Sequence, residues 1–483
     1  MAPITVAIII ILYFTVLIGI SYITSRGADN QSFFLGNRKS PWYVVAFGMI
    51  GATLSGVTFI SVPGWVVTNH FAYVQMLLGY LVGYTVIANI LLPLYYRLNL
   101  TSIYTYLWNR FGMHSYKTGA SFFLFSRIIG ASFRLFLVAN VLQLTVFDKW
   151  GVPFFATIII TILLIWVYTY KGGIKTIIWT DSLQTLLMLL AVGLTMLFIS
   201  KQLDYNVTDI VNKVAASDHS KIFFFGDWNS EKHFIKQFLS GMFITIVMTG
   251  LDQDMMQKNL SCRNIKEAKK NMYWFTVALI PVNLLFMSLG VLLIIYAHKM
   301  GITIPEQSDD LFPLIATQGY LPAIVGILFM IGLIAAAFTS ADSALTALTT
   351  SFTVDILNKQ NLPENRLKRV RIRTHAVISV VLAIVIFVFK LINDESVISA
   401  LFKAAGYTYG PLLGLYSFGL FTKFRIKDRY VPYIAILSPI ICFVINQYSR
   451  QWFNGYDLGF EVLILNGMLT FLGLLIIKRK IAT

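Results

Sequence analysis

Seven ionisable side chains lie in stretches that are otherwise almost wholly apolar: Arg127, Arg134, Asp181, Asp252, Asp254, Asp342 and Lys403. A charge at the centre of a bilayer costs roughly 2.5–3.5 kcal/mol on insertion scales, so each needs a partner or a task. Arg127 and Arg134 are seven residues apart and share a helical face. Asp252 and Asp254 close one apolar stretch, Asp181 begins another, and Asp342 is central in a third. Near it, Ala336, Thr339, Ser340 and Ser343 recur at i, i+3, i+4 and i+7, a stripe of hydroxyls along one helix. Oxygen stripes of this kind either bond back to the i−4 carbonyls or serve a hard cation. The chemistry on offer is recognition of charge, not bond making. No HExxH, Cys cluster, catalytic carboxylate pair or Gly-rich phosphate loop occurs, and the six His residues are scattered, so an enzyme is not expected.

The elements that must position these residues follow from composition. With 57% hydrophobic and 12% charged residues and a mean hydropathy of +0.72, the chain fits no soluble class. About thirteen candidate spans are expected, at roughly 4–24, 42–68, 72–98, 118–147, 151–170, 174–200, 234–257, 272–298, 319–356, 374–392, 395–421, 430–449 and 457–477. The formal charge of +16 does not signal nucleic acid, because the basic residues follow the loops alternately. Of the 38 Lys and Arg residues, 26 fall on one set of connections and 9 on the other. The positive-inside rule then puts the N-terminus outside and Lys478-Arg479-Lys480 in the cytoplasm of a multi-pass cell-membrane protein. The first span has no positive n-region and no small-residue cleavage site, so it reads as a retained helix. Cys262 and Cys442 imply no disulfide framework.

No linker or low-complexity tract interrupts the chain, so residues 1–483 read as one transmembrane domain. Two spans carry the marks of broken helices. The second runs through Gly48, Gly51, Ser55, Gly56, Ser61, Pro63 and Gly64, and the seventh through Gly241, Thr245, Thr249 and Gly250. They are five spans apart, the separation of an inverted pair of five-helix repeats, whose broken helices bind substrate and ions at mid-membrane. Small residues that merely allow close helix packing give the same pattern.

Specific runs tip this balance. FFLGNRKSPWY (33–43) leads into GATLSGVTFISVPG (51–64); KGGIKTIIWTDSLQ (171–184) opens the sixth span and LDQDMMQKNL (251–260) ends the seventh. IAAAFTSADSALTALTTSFTVDI (334–356) fills the ninth and GYTYGPLLG (406–414) the eleventh. In these runs, which occur in order, the chain resembles the sodium/solute symporter family. The resemblance implies an all-α membrane protein with a LeuT-like core of inverted five-helix repeats over 42–421, a peripheral helix at 4–24 and two C-terminal helices at 430–477. It also implies sodium as the coupling ion, held by the Ala336 carbonyl, the Thr339 and Ser340 hydroxyls and carbonyls at Gly51 and Leu54. Some members hold a second sodium, which here would fall at Asp181, Asp342 and Ser343. A capping role for Asp181 is the alternative.

Sugar-transporting members carry Glu-Gln or similar where this chain has Thr58 and Phe59, which argues against a glucose-like solute. Candidates facing the solute are Thr58, Gln75, Arg134, Gln253 and Lys403. Two cations among them suggest an anion, and members that take sialic acid place an Arg in the fourth span as Arg134 is placed here, where a guanidinium can grip a carboxylate bidentately. Sodium-coupled symport of a sugar acid or other organic anion is therefore expected. A neutral sugar, polyol or amino-acid symporter, or a sodium-independent facilitator, is the alternative.

Overall fold

A computed structural model describes residues 3–24, 30–392 and 396–479. Arg26 and Lys480, two of the basic loop residues counted above, lie outside these. The described chain is helical throughout and its only β pairings are the isolated bridges Ser40 to Cys262 and Ile426 to Lys478. The helices that matter for the site are α1 (Pro3–Thr24), α2 (Trp42–Thr53), α3 (Gly56–Asn69), α4 (Tyr73–Val86), α5 (Met113–Leu142) and α6 (Phe154–Leu203). They are followed by α7 (Phe234–Thr245), α8 (Gln253–Leu260), α9 (Ile265–Met300) and α10 (Ala323–Ser351). Last come α11 (Glu364–Ile392), α12 (Val397–Phe421), α13 (Val431–Gln447) and α14 (Val462–Ile476).

By length and apolar composition eight described helices can cross a membrane, or nine when the bent pair Phe234–Gly250 and Gln253–Leu260 counts as one span. Trp42–Thr53, Phe154–Trp166 and Val462–Ile476 are apolar but shorter. The outer faces carry unpaired aliphatic and aromatic side chains, such as Leu163, Leu190, Val377, Ile384 and Ile440, as a bilayer solvent requires.

The two breaks expected from the sequence are present. Between α2 and α3, Leu54 (φ −82°, ψ 57°) and Ser55 (φ −62°, ψ −177°) leave the helical region. No backbone hydrogen bond reaches back across this break to the carbonyls of Gly51, Ala52, Thr53 or Leu54. Between α7 and α8 a π-helical turn at Ile246–Gly250 and a bend of 64° do the same work, and Asp252 then caps α8 by accepting from the amides of Asp254 (2.9 Å) and Met255 (3.3 Å). Gly241 belongs to neither device. A Cβ there would lie 2.2 Å from the Met76 carbonyl oxygen on α4, so this glycine permits α4 and α7 to touch rather than unwinding α7. The fifth and sixth spans form one run, α6, that turns at Gly173, whose φ of +54° suits glycine.

The core helix is α10, buried from Gly332 to Ser351 and packed along α6, α5 and α3. Helix α1 rides on its outside, with Phe14 edge-on to Phe338 at 4.9 Å and Tyr13 accepting from Gln184 on α6 at 2.8 Å.

Candidate functional site

A cavity lies beside the α2/α3 break. Ala52, Thr53, Ser55 and Thr58 form one wall, Arg127 and Arg134 of α5 another. The tyrosines Tyr73, Tyr80 and Tyr84 of α4 face it, as do Thr245 and Thr249 from the π turn. At one end the start of α12 contributes Ile398, Leu401 and Phe402. That end is closed by aromatic rings: Tyr73 with Trp65 at 5.7 Å and Phe402 at 6.5 Å, and Phe460 with Phe402 at 5.2 Å.

The two arginines differ in what they touch. Arg127 is hydrogen-bonded to Asp254 and lies 3.8 Å from Asp252. Asp252 also accepts from the Tyr409 hydroxyl at 2.6 Å, and Asp254 from the Ser343 hydroxyl at 3.2 Å. A closed network of α5, α8, α10 and α12 thus floors the cavity, with one guanidinium shared between two carboxylates. Arg134 is 8% exposed, its Nε has no hydrogen-bond partner, and no described carboxylate reaches ion-pair distance from it. A buried guanidinium with no carboxylate at ion-pair distance favours an anion beside it.

Of the expected solute residues, Thr58 and Arg134 line the cavity together. Gln75 does not line it: its amide bonds the carbonyls of Lys232 (2.9 Å) and Ala72 (3.3 Å) and its carbonyl takes the Phe224 amide at 3.1 Å. Gln253 is likewise spent on the backbone, between the Thr101 carbonyl and the Ile103 amide. Lys403 lines a separate, smaller pocket with Glu231, Tyr407 and Asn446. The tyrosines were not expected, although Tyr73, Tyr80 and Tyr84 follow spacings of seven and four that put them on one face.

Of the residues expected around the coupling ion, Gly51 and Thr339 lie side by side, and Ser340 faces α2. A Cβ on Gly51 would meet the Thr339 Cγ2 at 3.3 Å and the Thr185 Oγ1 at 2.0 Å, so α2 is wedged between α10 and α6 at that point. Ser340 donates across the gap to the Ala52 carbonyl at 3.3 Å, while Thr339 bonds back to Ala335 at 2.5 Å and Ser343 to Thr339 at 3.1 Å. The Ala52 carbonyl of α2 and the Ser340 hydroxyl of α10 thus meet in the gap, oxygen donors of the kind a hard monovalent cation takes. At the second expected position, Asp181 is held by the ammonium of Lys258 at 2.7 Å, both fully buried. Lys258 counts as a loop residue in the sequence; here it ends α8 inside the protein.

Broken helices lining a mid-membrane cavity, an oxygen-rich gap beside it and a buried unpaired cation define a membrane transporter coupled to an ion. Residues 33–445 match the Sodium:solute symporter family, and the chain belongs to it. It is a multi-pass, sodium-coupled symporter. It is 25% identical over 410 residues to the sodium/sialic acid symporter NanT of Aliivibrio fischeri, covering 83% of this chain and 80% of that one. It is 25% identical over 463 residues to the sodium/sialic acid symporter SiaT of Proteus mirabilis, covering 92% and 88%. The fold matches a substrate-bound, outward-open sodium-coupled sialic acid symporter with a TM-score of 0.81 at 20% identity, over 99% of both chains. It matches MHP1, a nucleobase-cation-symport-1 family transporter in a closed conformation, with 0.56 at 12% identity, over 91% of this chain and 92% of that one.

Proposed function

We propose that the protein carries a small organic anion inward with sodium, and that Arg134 binds the anionic group. The observation that supports this reading is the buried guanidinium of Arg134 in the cavity wall without a carboxylate partner. Sugar acids are the first solutes to test, since two similar relatives are sialic acid symporters. Thr58 is the other expected contact that lines the cavity; Gln75, Gln253 and Lys403 are left out of the proposal because each is engaged elsewhere.

The coupling sodium is placed between α2 and α10, on Gly51, Leu54, Ala336, Thr339 and Ser340. An ion there ties the two helices together and favours the conformer in which the solute pocket is formed, a shift that requires different sodium affinities in the two states. Lys258 holds one carboxylate oxygen of Asp181 and leaves the other without a hydrogen-bond partner, so a second sodium at Asp181, Asp342 and Ser343 is compatible with that ion pair; a cycle with one sodium is the simpler case. The energetics are then defined. At about 1.4 kcal/mol for a tenfold gradient and about 2.3 for 100 mV, one sodium accumulates a neutral solute about 500-fold, but a monoanion only about tenfold, because the electrical contributions cancel. The distribution of basic residues supports an orientation with the N-terminus outside and the C-terminus in the cytoplasm.

Uptake of a panel of labelled organic anions into proteoliposomes, in sodium against choline buffer, tests the reading. Sodium-dependent, electroneutral uptake of at least one anion is expected. Equal uptake in the two buffers, or uptake only of neutral solutes, would refute it.

A further inference from the structure

We propose that a groove on the lipid-facing side of the bundle holds one anionic phospholipid, with an acyl chain between α5 and α11 and the phosphate on Arg373. The groove is walled by Leu124 and Ile128 of α5, by Phe352 and Leu357 at the π-helical turn that follows α10, and by Val377 and Val381 of α11. Among the described residues its one charged wall residue is Arg373, toward the end where α11 begins.

This combination is a property of one helix face. Arg366, Val370, Arg373, Val377 and Val381 recur at i, i+4, i+7, i+11 and i+15, so the face is basic in its first turns and apolar beyond them. The connection into α11 and its first turns carry Lys359, Arg366, Lys368, Arg369, Arg371 and Arg373 against one carboxylate, Glu364. Arg371 is buried, with its guanidinium 4.1 Å from the centre of the Phe33 ring. Arg366, Lys368, Arg369 and Arg373 are exposed, and no described carboxylate lies at ion-pair distance from any of them.

In the orientation proposed above this connection is cytoplasmic, where a basic cluster meets the headgroups of the inner leaflet. A zwitterionic headgroup brings no net charge to the cluster, whereas an anionic one does, and a guanidinium takes phosphate oxygens bidentately. The apolar part of the groove opens beside Val377, Val380 and Ile384, which α11 leaves exposed to the hydrocarbon. A chain seated there packs against both helices that carry the site, since Leu124 and Ile128 flank Arg127 and Phe352 directly follows α10.

The test adds phosphatidylglycerol, phosphatidylcholine or glycerol phosphate to the purified full chain in detergent and reads the midpoint of thermal unfolding, with native mass spectra to count retained lipids and copies of the chain. One basic side chain beside an anionic headgroup is worth about fivefold in affinity, so phosphatidylglycerol should act at concentrations about fivefold or more below phosphatidylcholine. Glycerol phosphate, which has no chains, should leave the midpoint unmoved. Arg373→Gln should remove about fivefold of the preference and Arg373→Lys should keep it. Val377→Trp fills the groove at constant charge and should lose the retained lipid while the midpoint without lipid stays put; both positions are exposed, so folding is not at stake. Equal action of the two lipids, glycerol phosphate as effective as phosphatidylglycerol, or a preference that survives both Arg373→Gln and Val377→Trp would overturn the proposal. A dimer without retained lipid that becomes monomeric in Val377→Trp would overturn it too, giving the groove to a second copy of the chain.

Discussion

Arg127 and Arg134 are the same residue type, on the same face of the same helix, two turns apart and equally buried. One is enclosed by two carboxylates, a tyrosine and a serine; the other has none of these. Burial therefore does not distinguish a structural charge from a working one. The proposed distinction is compensation: a charge that the protein has already neutralised holds helices together, and one without a carboxylate at ion-pair distance is the one proposed to meet the solute.

The largest expected effect is on the compensated side. Arg127→Ala strands Asp252 and Asp254 in the interior, and removing one partner of a buried pair typically costs about 3–5 kcal/mol. Thermal unfolding of the detergent-solubilised variant should show a clear drop, with loss of folded yield; an unchanged midpoint would erase the contrast between the two arginines.

Asp309 provides a third case, a buried carboxylate in the connection between α9 and α10. Its Oδ2 accepts from the Val397 amide at 3.0 Å at the start of α12, but no described cation pairs with it, and burial pushes its pKa from 3.8 to about 6. The folded state therefore holds the proton more tightly than the unfolded state. That contribution is complete below about pH 4 and is lost as pH rises through about 6, an effect of up to about 3 kcal/mol by linkage. Unfolding midpoints between pH 4 and 7 should fall across this window in the unmutated protein and flatten in Asp309→Asn. A slope of opposite sign would mean that the carboxylate is compensated after all.

Arg134→Lys keeps the charge and loses the planar fork. Hydrogen bonds to charged groups contribute about 1.5–3 kcal/mol, so solute affinity should fall about 10- to 150-fold with the unfolding midpoint unmoved. Equilibrium binding at fixed sodium separates this from an indirect effect.

The smallest effect belongs to the proposed ion site. Ser340→Ala removes the hydroxyl that faces the Ala52 carbonyl and should raise the sodium concentration for half-maximal binding several-fold, leaving solute affinity at saturating sodium nearly unchanged. Thr339→Ala should act in the same direction. Titration of sodium at constant solute measures both.

The sequence foretells some of this well and some not at all. Both helix breaks are legible because Gly, Ser and Pro weaken a helix locally, and the hydroxyl stripe of α10 because its spacing is that of one helix face. The pairing of Arg127 with Asp254 can only be suspected, since the partners are 127 residues apart and nothing local fixes which carboxylate each cation will meet. Gln75 and Gln253 mislead for a related reason. A polar side chain in an apolar span can serve a ligand or an unpaired backbone group, and the connections that claim these two, around residues 224–232 and 101–103, are remote in sequence. Lys258 reads as a loop residue because it follows polar neighbours, yet α8 carries it inward to Asp181. Gly241 shows the reverse error, a helix-weakening residue whose purpose is contact with α4.

The central claim is that Arg134 is left uncompensated for the solute. Its most direct test is to titrate one bound anion, at saturating sodium, into the unmutated protein and into Arg134→Ala, and to record the unfolding midpoint of each without ligand. The account predicts that Arg134→Ala loses binding by at least tenfold while its midpoint stays the same or rises, since an unpaired buried charge has been removed. An Arg134→Ala protein that binds the anion as before, or that loses stability as Arg127→Ala is expected to, would contradict it.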